Sequence, residues 1–414
     1  MNKSAILRSV LCSSLAFAAG CSSGDAPPTP GENTVALMPP AAGDGVQLRL
    51  VESDTPSGTE HQVCKNFVVP KGGWQISKVE TEYRAGAHHV IIYRVGSLLI
   101  SQDDKPEDIN TTDTFPCGDV PGPIFYSSGT PVDSYEYPAG VGLKFDEGAV
   151  IRLELHWLNV TEKPLTADLR ANLIFSKAPV MIEAGALFFY NLNIAIAPHT
   201  SQKVRMRCEI PRDINILGIV PHAHVYNTTM YARAVSATVA VDAVTATTSR
   251  EFLRTEGFLD ELQRPYDPAF KIKAGEIIDY GCDYTNNTDV AIVEGPQKEK
   301  SEMCLFIANY YPRVLSQAEL CFLPGSGAIR EEYGTMTCGE ALTCQVDARA
   351  AHGFRSFEER DCWMHICKKS EPALDAFQNC IYQNCTTCVD DDECNACAQI
   401  ACGEKAVACQ LAGC

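Results

Sequence analysis

Twenty cysteines are the feature that most restricts how this chain of 414 residues can fold. Thiols in such number are typical of an oxidising compartment, where they pair as disulfides, and they are rare in reducing cytosolic proteins. Twelve of them fall between residues 338 and 414, so residues 330–414 are predicted to form a separate cysteine-rich tail.

Spacing within this tail favours helices joined by disulfides. Ala, Gln and Leu separate many of the cysteines, and these residues favour helix. Two cysteines five apart on a helix are separated by a rise of about 7.5 Å, more than the usual Cα separation of a disulfide, so we expect the bonds to run between helices. Four pairs have this spacing: Cys362 and Cys367, Cys380 and Cys385, Cys397 and Cys402, and Cys409 and Cys414.

Zinc is the alternative for part of the tail. The pairs Cys385 with Cys388 and Cys394 with Cys397 have the Cys-x2-Cys spacing of zinc knuckles. The spacer between the two pairs is shorter than that of the usual zinc finger, and an oxidising compartment favours disulfides.

The N-terminus has the pattern of a bacterial secretory signal. Lys3 and Arg8 precede an apolar stretch, residues 10–19, that is too short to span a bilayer. Residues 1–20 are therefore predicted to be a lipoprotein signal peptide, followed by a flexible Pro, Gly and Ser-rich tether over residues 21–44.

Ala18-Ala19-Gly20-Cys21 resembles a lipobox, which implies acylation of Cys21 and a membrane anchor. The alternative is an ordinary signal peptide with an incidental cysteine. Ser22, rather than Asp, follows Cys21, which resembles the sorting pattern for the outer membrane. We therefore expect a lipoprotein of the cell envelope, held at the outer membrane on its periplasmic or outer side.

The segment 45–325 has the pattern of many short strands separated by Pro, Gly, Asn and Asp. Residues 151–157 alternate, with their apolar side chains on one face. No recurring helical pattern lies between strands, which favours antiparallel β-sandwiches over a doubly wound α/β fold. The length suits two sandwiches, with a break near residues 176–179, so we predict domains over residues 45–180 and 181–325.

Histidines in three contexts carry the chemistry. His222 and His224 lie two apart, so on a strand they share a face and could hold one metal ion. His88 and His89 are adjacent, so they could bind one ion only at a strand end or a bulge, which Gly86 favours. His156 lies with charged residues on the polar face of its strand.

A soft sulfur ligand completes the set. With the thiols held in disulfides, imidazole is the available nitrogen donor, and a thioether adds selectivity for copper(I). Met303 stands at the start of a predicted strand and could supply it; alone, it would be read as core filler. His61 and His199 are expected to face solvent, and His352 and His365 to lie on the surface or in the core of the tail.

Taken in order, these motifs resemble the copper type II ascorbate-dependent monooxygenases, the family of dopamine β-hydroxylase and peptidylglycine α-hydroxylating monooxygenase. The resemblance rests on His-His, a single His after an alternating strand, His-x-His, and Glu302-Met303-Cys304 before an aromatic strand. It covers roughly residues 45–325 and excludes the tail.

The resemblance implies an all-β fold of two tandem antiparallel jelly-roll sandwiches, each with one copper ion. His88, His89 and His156 match the ligands of the electron-storing copper. The residues that match the ligands of the oxygen-binding copper, where catalysis occurs, are His222, His224 and Met303. The implied reaction inserts one atom of O2 into an aliphatic C–H bond of a small or medium organic substrate, with ascorbate or another two-electron reductant as co-substrate.

Disulfide pairings also follow from the resemblance. The six cysteines of the strand region match positions that pair in the family as Cys64–Cys117, Cys208–Cys321 and Cys282–Cys304. The last two bonds would lie beside Met303 and help to fix its position.

Several positions depart from the family pattern. Val90 follows the His-His pair where Met is common, Ala223 replaces Thr, and Glu154 replaces Gln. Val220 and Ile307 occupy positions at which the peptide hydroxylase uses Arg and Tyr to hold its substrate, which argues against peptidylglycine.

Three functions were weighed: a copper monooxygenase, a non-catalytic copper-binding or delivery protein, and a structural surface protein with vestigial histidines. All six ligand positions are filled, which weighs against the third. Reductant-dependent consumption of O2 would separate the first two. A formal net charge of −18 argues against nucleic acid as a partner. The sequence indicates neither the substrate nor the oligomeric state.

Overall fold

The computed structural model describes residues 35–414 except for a set of short segments. The predicted signal peptide, the lipidation site Cys21 and most of the tether lie outside the described residues. No helix among those described is long and apolar enough to cross a membrane. The segments left out are 85, 96–112, 118–123, 160–161, 258–263, 296, 298, 315–319, 322–327, 330–332, 354–355 and 386–390.

The first half of the chain forms two sheets. One has the order β1-β10-β3-β8-β11, with β7 also paired to β3, and the other has the order β5-β2-β9-β4-β6. The strands are β1 (Gly45–Thr55), β2 (Glu60–Val68), β3 (Trp74–Tyr83), β4 (Ala87–Val95), β5 (Phe115–Pro116), β6 (Ile124–Ser128), β7 (Val132–Glu136), β8 (Val141–Phe145), β9 (Val150–Leu158), β10 (Leu165–Phe175) and β11 (Ile182–Glu183).

These two sheets share one apolar core. Leu50, Val79 and Leu173 from the first sheet and Leu153 and Trp157 from the second belong to the same buried cluster. The alternation predicted for residues 151–157 is confirmed, because its apolar side chains are fully buried in this core.

The second half forms three sheets. Their orders are β18-β15-β22-β12-β23, β17-β16-β19-β14-β24 and the short β13-β20-β21. The strands are β12 (Gly185–Tyr190), β13 (Ala195–Ile196), β14 (Ser201–Glu209), β15 (Ile214–Ala223), β16 (Asn227–Ser236), β17 (Ser249–Glu256), β18 (Arg264–Ile272), β19 (Glu276–Thr285), β20 (Ile292–Glu294), β21 (Ser301–Glu302), β22 (Cys304–Tyr311), β23 (Leu320–Cys321) and β24 (Ala328–Ile329).

A second core lies between the two larger of these sheets, and Phe189, Tyr280 and Phe306 are packed against one another in it. A smaller apolar cluster joins the two halves of the chain. In this cluster, Tyr93 and Ile124 of the first half lie with Ala186, Phe188, Val220, Leu305 and Ile307 of the second. We call this group the interface cluster.

The prediction of a mostly β chain followed by a helical tail is confirmed. The prediction of two jelly rolls is not confirmed, because the described strands form five sheets and not four. Residues 187–195 do not form one continuous strand. The Asn191 side chain accepts a hydrogen bond from the backbone N–H of Asn193, and this turn separates β12 from β13.

The tail has four helices. They are α1 (Cys338–His352), α2 (Phe357–Met364), α3 (Glu371–Asn384) and α4 (Asp391–Leu411). Helix α1 begins with a capping box, in which the Thr337 hydroxyl accepts from the Glu340 N–H and the Glu340 carboxylate accepts from the Thr337 N–H.

All the tail disulfides in the described residues join different helices or their ends, as expected. Because Cys385 pairs with Cys397, the zinc alternative is wrong for these two cysteines; Cys388 lies outside the described residues, and the structure does not describe the Cys394 side chain. The bonds are Cys338–Cys409, Cys344–Cys362, Cys367–Cys414, Cys380–Cys402 and Cys385–Cys397.

The three disulfides expected in the strand region are all present, which confirms the pairing implied by the resemblance. They are Cys64–Cys117, Cys208–Cys321 and Cys282–Cys304.

We predict that all eighteen cysteines other than Cys12 and Cys21 are oxidised in the mature protein. Alkylation of the unreduced, denatured protein should leave its intact mass unchanged, and peptide mapping should link Cys385 to Cys397. Alkylation after reduction is the control and should modify all eighteen. Free thiols at Cys385 and Cys397 together with bound zinc would contradict the prediction and favour knuckles.

Candidate metal centres

His222 and His224 lie where β15 ends, and their rings are close together. His222 is two residues before His224, and the ring centroids are 5.1 Å apart at a steep angle. His224 is buried and His222 is half-buried. The prediction that the His-x-His pair shares one face of a strand end is confirmed by this proximity.

The pairing of β15 with β22 places Met303 next to these two histidines. His222 is opposite Leu305 and Ala223 is opposite Cys304, so the antiparallel ladder, continued by one residue, sets His224 opposite Met303. Residues that oppose each other in such a ladder point to the same face. Met303 stands between β21 and β22, at the strand start that the sequence predicted. We call His222, His224 and Met303 the second metal centre.

A backbone carbonyl fixes the tautomer of His224. Its Nδ1 lies 2.8 Å from the carbonyl oxygen of Ser301. A carbonyl can only accept a hydrogen bond, so Nδ1 carries the hydrogen and Nε2 keeps the lone pair that a metal ion needs. Such partners orient histidine ligands in metal sites.

Glu302 joins the two segments that carry these ligands, and sequence reasoning missed this role. Its buried carboxylate accepts hydrogen bonds from the backbone N–H groups of His224, Tyr226 and Met303, at 2.8, 2.6 and 3.1 Å. Burial raises the pKa of Glu302 to about 7, although these N–H groups favour the charged form. These contacts hold the turn after the His-x-His pair against Glu302, and therefore next to Met303.

His88 and His89 lie at a β-bulge at the start of β4, which confirms the geometry that the adjacent histidines require. Ala87 is opposite Trp157 and His89 is opposite His156, so His88 is the extra residue in this strand. Gly86, just before the bulge, has a φ of +110°, which favours glycine. The structure describes the backbone of His88 but not its side chain.

His89 and His156 are opposite each other on the face of the sheet that points away from its apolar core, with ring centroids 4.9 Å apart. Nε2 of His156 is 2.7 Å from a carboxylate oxygen of Glu60, which can only accept, so Nε2 carries the hydrogen and Nδ1 keeps the lone pair. Burial, and then the charge of His89, lower the pKa of His156, which favours the neutral imidazole that binds metals. His88, His89 and His156 form the other candidate site, which we call the first metal centre.

Glu154 is buried beside this centre, although the sequence places it on a polar strand face. Its carboxylate accepts hydrogen bonds from Tyr93 and Gln62, each at 2.5 Å, and lies 3.8 Å from Nε2 of His89. Burial alone would raise its pKa, but His89 and these hydrogen bonds outweigh burial, and the pKa of Glu154 lies below its ordinary value. The polar face of β9 is therefore an internal surface, covered around Glu154.

The donor sets fit copper. The first centre offers imidazoles, and the second offers two imidazoles and a thioether, a combination that suits copper(I). A further group of ligand-type residues, Cys64, Cys117 and Glu154, is not a metal site, because its two cysteines are joined in a disulfide.

The remaining histidines lie at the surface, and His61 is the one near a centre, since its neighbour Gln62 is opposite His156. His61, His199, His352 and His365 are all exposed, and Asp289 and Asp361 bind His199 and His365. Val220 and Ile307, the positions that depart from the peptide hydroxylase, are opposite each other and buried in the interface cluster.

Residues 181–333 match the family model described as the copper type II ascorbate-dependent monooxygenase C-terminal domain. This part of the chain is therefore similar to that monooxygenase family. The matched range includes every residue of the second metal centre, and members of the family depend on copper and ascorbate. No curated protein matches the chain by sequence.

Solved structures give only distant likenesses to this chain. The major capsid protein P2 from bacteriophage PM2 is 8% identical, covers 64% of this chain and 97% of its own, and has a TM-score of 0.23. A structure of infectious bursal disease virus, Gx strain, is 8% identical, covers 67% of this chain and 75% of its own, and has a TM-score of 0.17. Likenesses at this level support no conclusion.

The raised pKa of Glu302 predicts how stability depends on pH in the metal-free protein. Below pH 4.5, the ordinary pKa of the carboxyl in the unfolded chain, Glu302 is neutral in both the folded and the unfolded state. Between pH 4.5 and about 7, the unfolded chain has released this proton and the folded protein still holds it. The free energy of unfolding should therefore fall as the pH rises from 4.5 through 7, by about 3 kcal/mol at most.

Denaturant unfolding of wild type and Glu302→Gln at several pH values measures this contribution, since the variant lacks the titrating group. Glu299→Gln, an exposed carboxylate in the same segment, is the matched control and should behave as wild type. Equal pH dependence in wild type and Glu302→Gln would show that Glu302 does not titrate in this range.

Proposed function

We propose that this protein is a copper monooxygenase that inserts one oxygen atom from O2 into an aliphatic C–H bond of a small or medium organic substrate. The observation that carries the proposal is the second metal centre: His222, His224 and Met303 share one face at a strand end, within the part of the chain that matches the family model. The first metal centre would hold a second copper ion and store an electron from an external reductant such as ascorbate.

The chain's own residues prepare both centres for this task. Ser301 fixes the hydrogen of His224 on Nδ1, whereas Glu60 fixes that of His156 on Nε2. Because carbonyl and carboxylate partners set the tautomers in advance, little reorganisation is needed when a ligand binds. Copper, when bound, supplies the redox chemistry that activates O2.

Strand order supports an interpretation as two jelly rolls. Consecutive long strands alternate between two facing sheets: β1, β3 and β10 lie in one sheet of the first half, and β2, β4 and β9 in the other. The second half repeats the pattern, with β12, β15 and β22 facing β14, β16 and β19. In this interpretation the three-stranded sheet β13-β20-β21 is an addition to the second jelly roll.

We further propose that acylation of Cys21 anchors the enzyme at the outer membrane, with residues 22–44 as a tether. Cys21→Ser should release the protein into the soluble fraction of the producing cell. Membrane retention of this variant, at the level of wild type, would contradict the anchor.

Purified protein should bind two copper ions. His222→Ala with His224→Ala should remove one ion and leave the other, because the two centres draw on different strands. His199→Ala with His352→Ala, at two exposed histidines outside both centres, is the control and should retain two. Copper content measured by atomic absorption tests this, and the loss of both ions or of neither would contradict separate centres.

Met303→Ile should abolish reductant-dependent consumption of O2 while sparing the fold. The swap keeps an apolar side chain of similar volume, which usually costs less than about 1.5 kcal/mol, but it removes the soft ligand. Met230→Ile, in the core of the same half of the chain, is the matched control and should keep activity. Full O2 consumption by Met303→Ile would contradict the assignment of the second centre.

His156→Ala should act differently, because it alters the electron store and leaves the second centre intact. Rapid mixing of the pre-reduced variant with O2 should show a smaller loss in the first turnover than in the steady state. If wild type consumes no O2 with a broad panel of substrates but binds two copper ions, the copper-binding or delivery function becomes the better interpretation.

A further inference from the structure

Helix α2 of the tail contacts the second half of the chain at β13 and β20, and Arg360 of this helix is mostly covered there. The side chain of Arg360 is only 12% exposed, and its guanidinium lies 2.7 Å from a carboxylate oxygen of Glu294. The same group donates a hydrogen bond to the backbone carbonyl of Leu192. One side chain of the tail therefore joins two segments of the second half of the chain.

Glu294 passes this contact on to the structure around the second metal centre. It is buried, accepts a hydrogen bond from the Tyr190 hydroxyl, and lies on β20. Strand β21 runs parallel to β20, with Glu302 opposite Glu294 and Ser301 opposite Val293. Ser301 and Glu302 are the residues that bind His224, and Glu302 also binds the backbone N–H of Met303.

The other segment that Arg360 holds contains Leu192 and follows β12, the strand that pairs with β22. Tyr190 of β12 is paired with Leu305, which in turn is paired with His222. The backbone N–H of Asn191 donates to the carbonyl of Cys304 at 2.8 Å. Tyr190, Leu192 and Met303 all pack against the interface cluster.

We propose that Arg360 is a positioning residue of the second metal centre, so that tail helix α2 is part of the supporting structure of this centre. Arg360 reaches the Leu192 carbonyl through Nη1 and the Glu294 carboxylate through Nη2, a fork of two separate nitrogens that the single ammonium nitrogen of lysine does not reproduce. The proposal rests on the proposed function in one respect, namely that the second centre binds copper.

The tail is built to hold this arginine in place. Helix α2 is bonded to α1 by Cys344–Cys362, and the buried carboxylate of Glu359 binds Arg349 of α1 at 2.6 Å. Arg360 is next to Glu359 on the same helix turn. The disulfide-bonded tail therefore presents the guanidinium from a fixed support, at low cost in conformational entropy.

The test compares Arg360→Met with Arg313→Met. Arg313 is a matched control, because it is 13% exposed and binds Glu183 at 2.9 Å, but it lies just beyond β22 at the end of that strand away from Met303. The full-length protein is titrated with copper(I) against a chromophoric chelator, in the wild-type background and in backgrounds that lack one centre. Copper X-ray absorption reports sulfur coordination by Met303.

Arg360→Met should lower the copper(I) affinity of the second centre by about 10- to 100-fold and weaken the sulfur signal, as loss of a supporting residue does in metal sites. The first centre should be unchanged, and Arg313→Met should change neither centre. Arg360→Lys keeps the charge but not the double contact, so it should recover only part of the affinity.

Arg360→Met leaves Glu294 as an unpaired buried charge, which could unfold the domain. The double variant Arg360→Met with Glu294→Gln removes that charge; it should fold and still show the weakened second centre. Equal copper affinity in the double variant and Arg313→Met, or equal weakening of both centres, would overturn the proposal.

The two levels of the proposal fail differently. If wild type binds two copper ions and the Arg360 variants do so with unchanged affinity, only the role of the tail is wrong. If wild type binds no copper at His222, His224 and Met303, the role of the tail and the proposed function are both wrong.

Discussion

The antiparallel register between β15 and β22 is the constraint on which the second metal centre depends. It sets His222 opposite Leu305 and brings His224 and Met303 together, although the residues are about 80 positions apart in the chain. A shift of one residue would turn either the histidines or the methionine to the opposite face of the sheet. The disulfide Cys282–Cys304, next to Met303, ties this strand to β19 and works against such a shift.

Around this register, hydrogen bonds decide which atoms face a metal ion. Ser301 and Glu302 bind His224 from the strand that leads into Met303, so the same short segment supplies one ligand and orients another. In the first centre, Glu60 and Glu154 face the Nε2 atoms of His156 and His89. His224 therefore keeps its lone pair on Nε2 and His156 on Nδ1, in each case on the nitrogen away from the hydrogen-bond partner.

The disulfides divide into two groups with different consequences. Those of the strand region connect strands or the residues beside them, and one of them, Cys282–Cys304, includes the residue next to Met303. Those of the tail join helices that bury little apolar surface of their own, in a core of only a few residues. Such a small core is marginal without cross-links, so covalent bonds supply the rigidity that α2 needs to present Arg360.

Local pattern in the sequence was enough for the strands, the helical tail and the candidate ligands, because alternation, spacing and residue type are local properties. The bulge at His88 was predictable from two adjacent histidines after a glycine, since a regular strand cannot point both to one side. The pairings of the six cysteines in the strand region followed from family resemblance and not from spacing, because sequence separation does not determine connectivity.

Only the tertiary structure decided the surroundings of these ligands. The burial of Glu154, the Glu302 contacts to three backbone N–H groups and the ion pair of Arg360 with Glu294 all join segments that are distant in sequence. No local pattern marks a carboxylate that will be buried, because its burial depends on what packs over it. The sequence by itself determined which residues can bind metal, and the packing of sheets and tail decided how those residues are held.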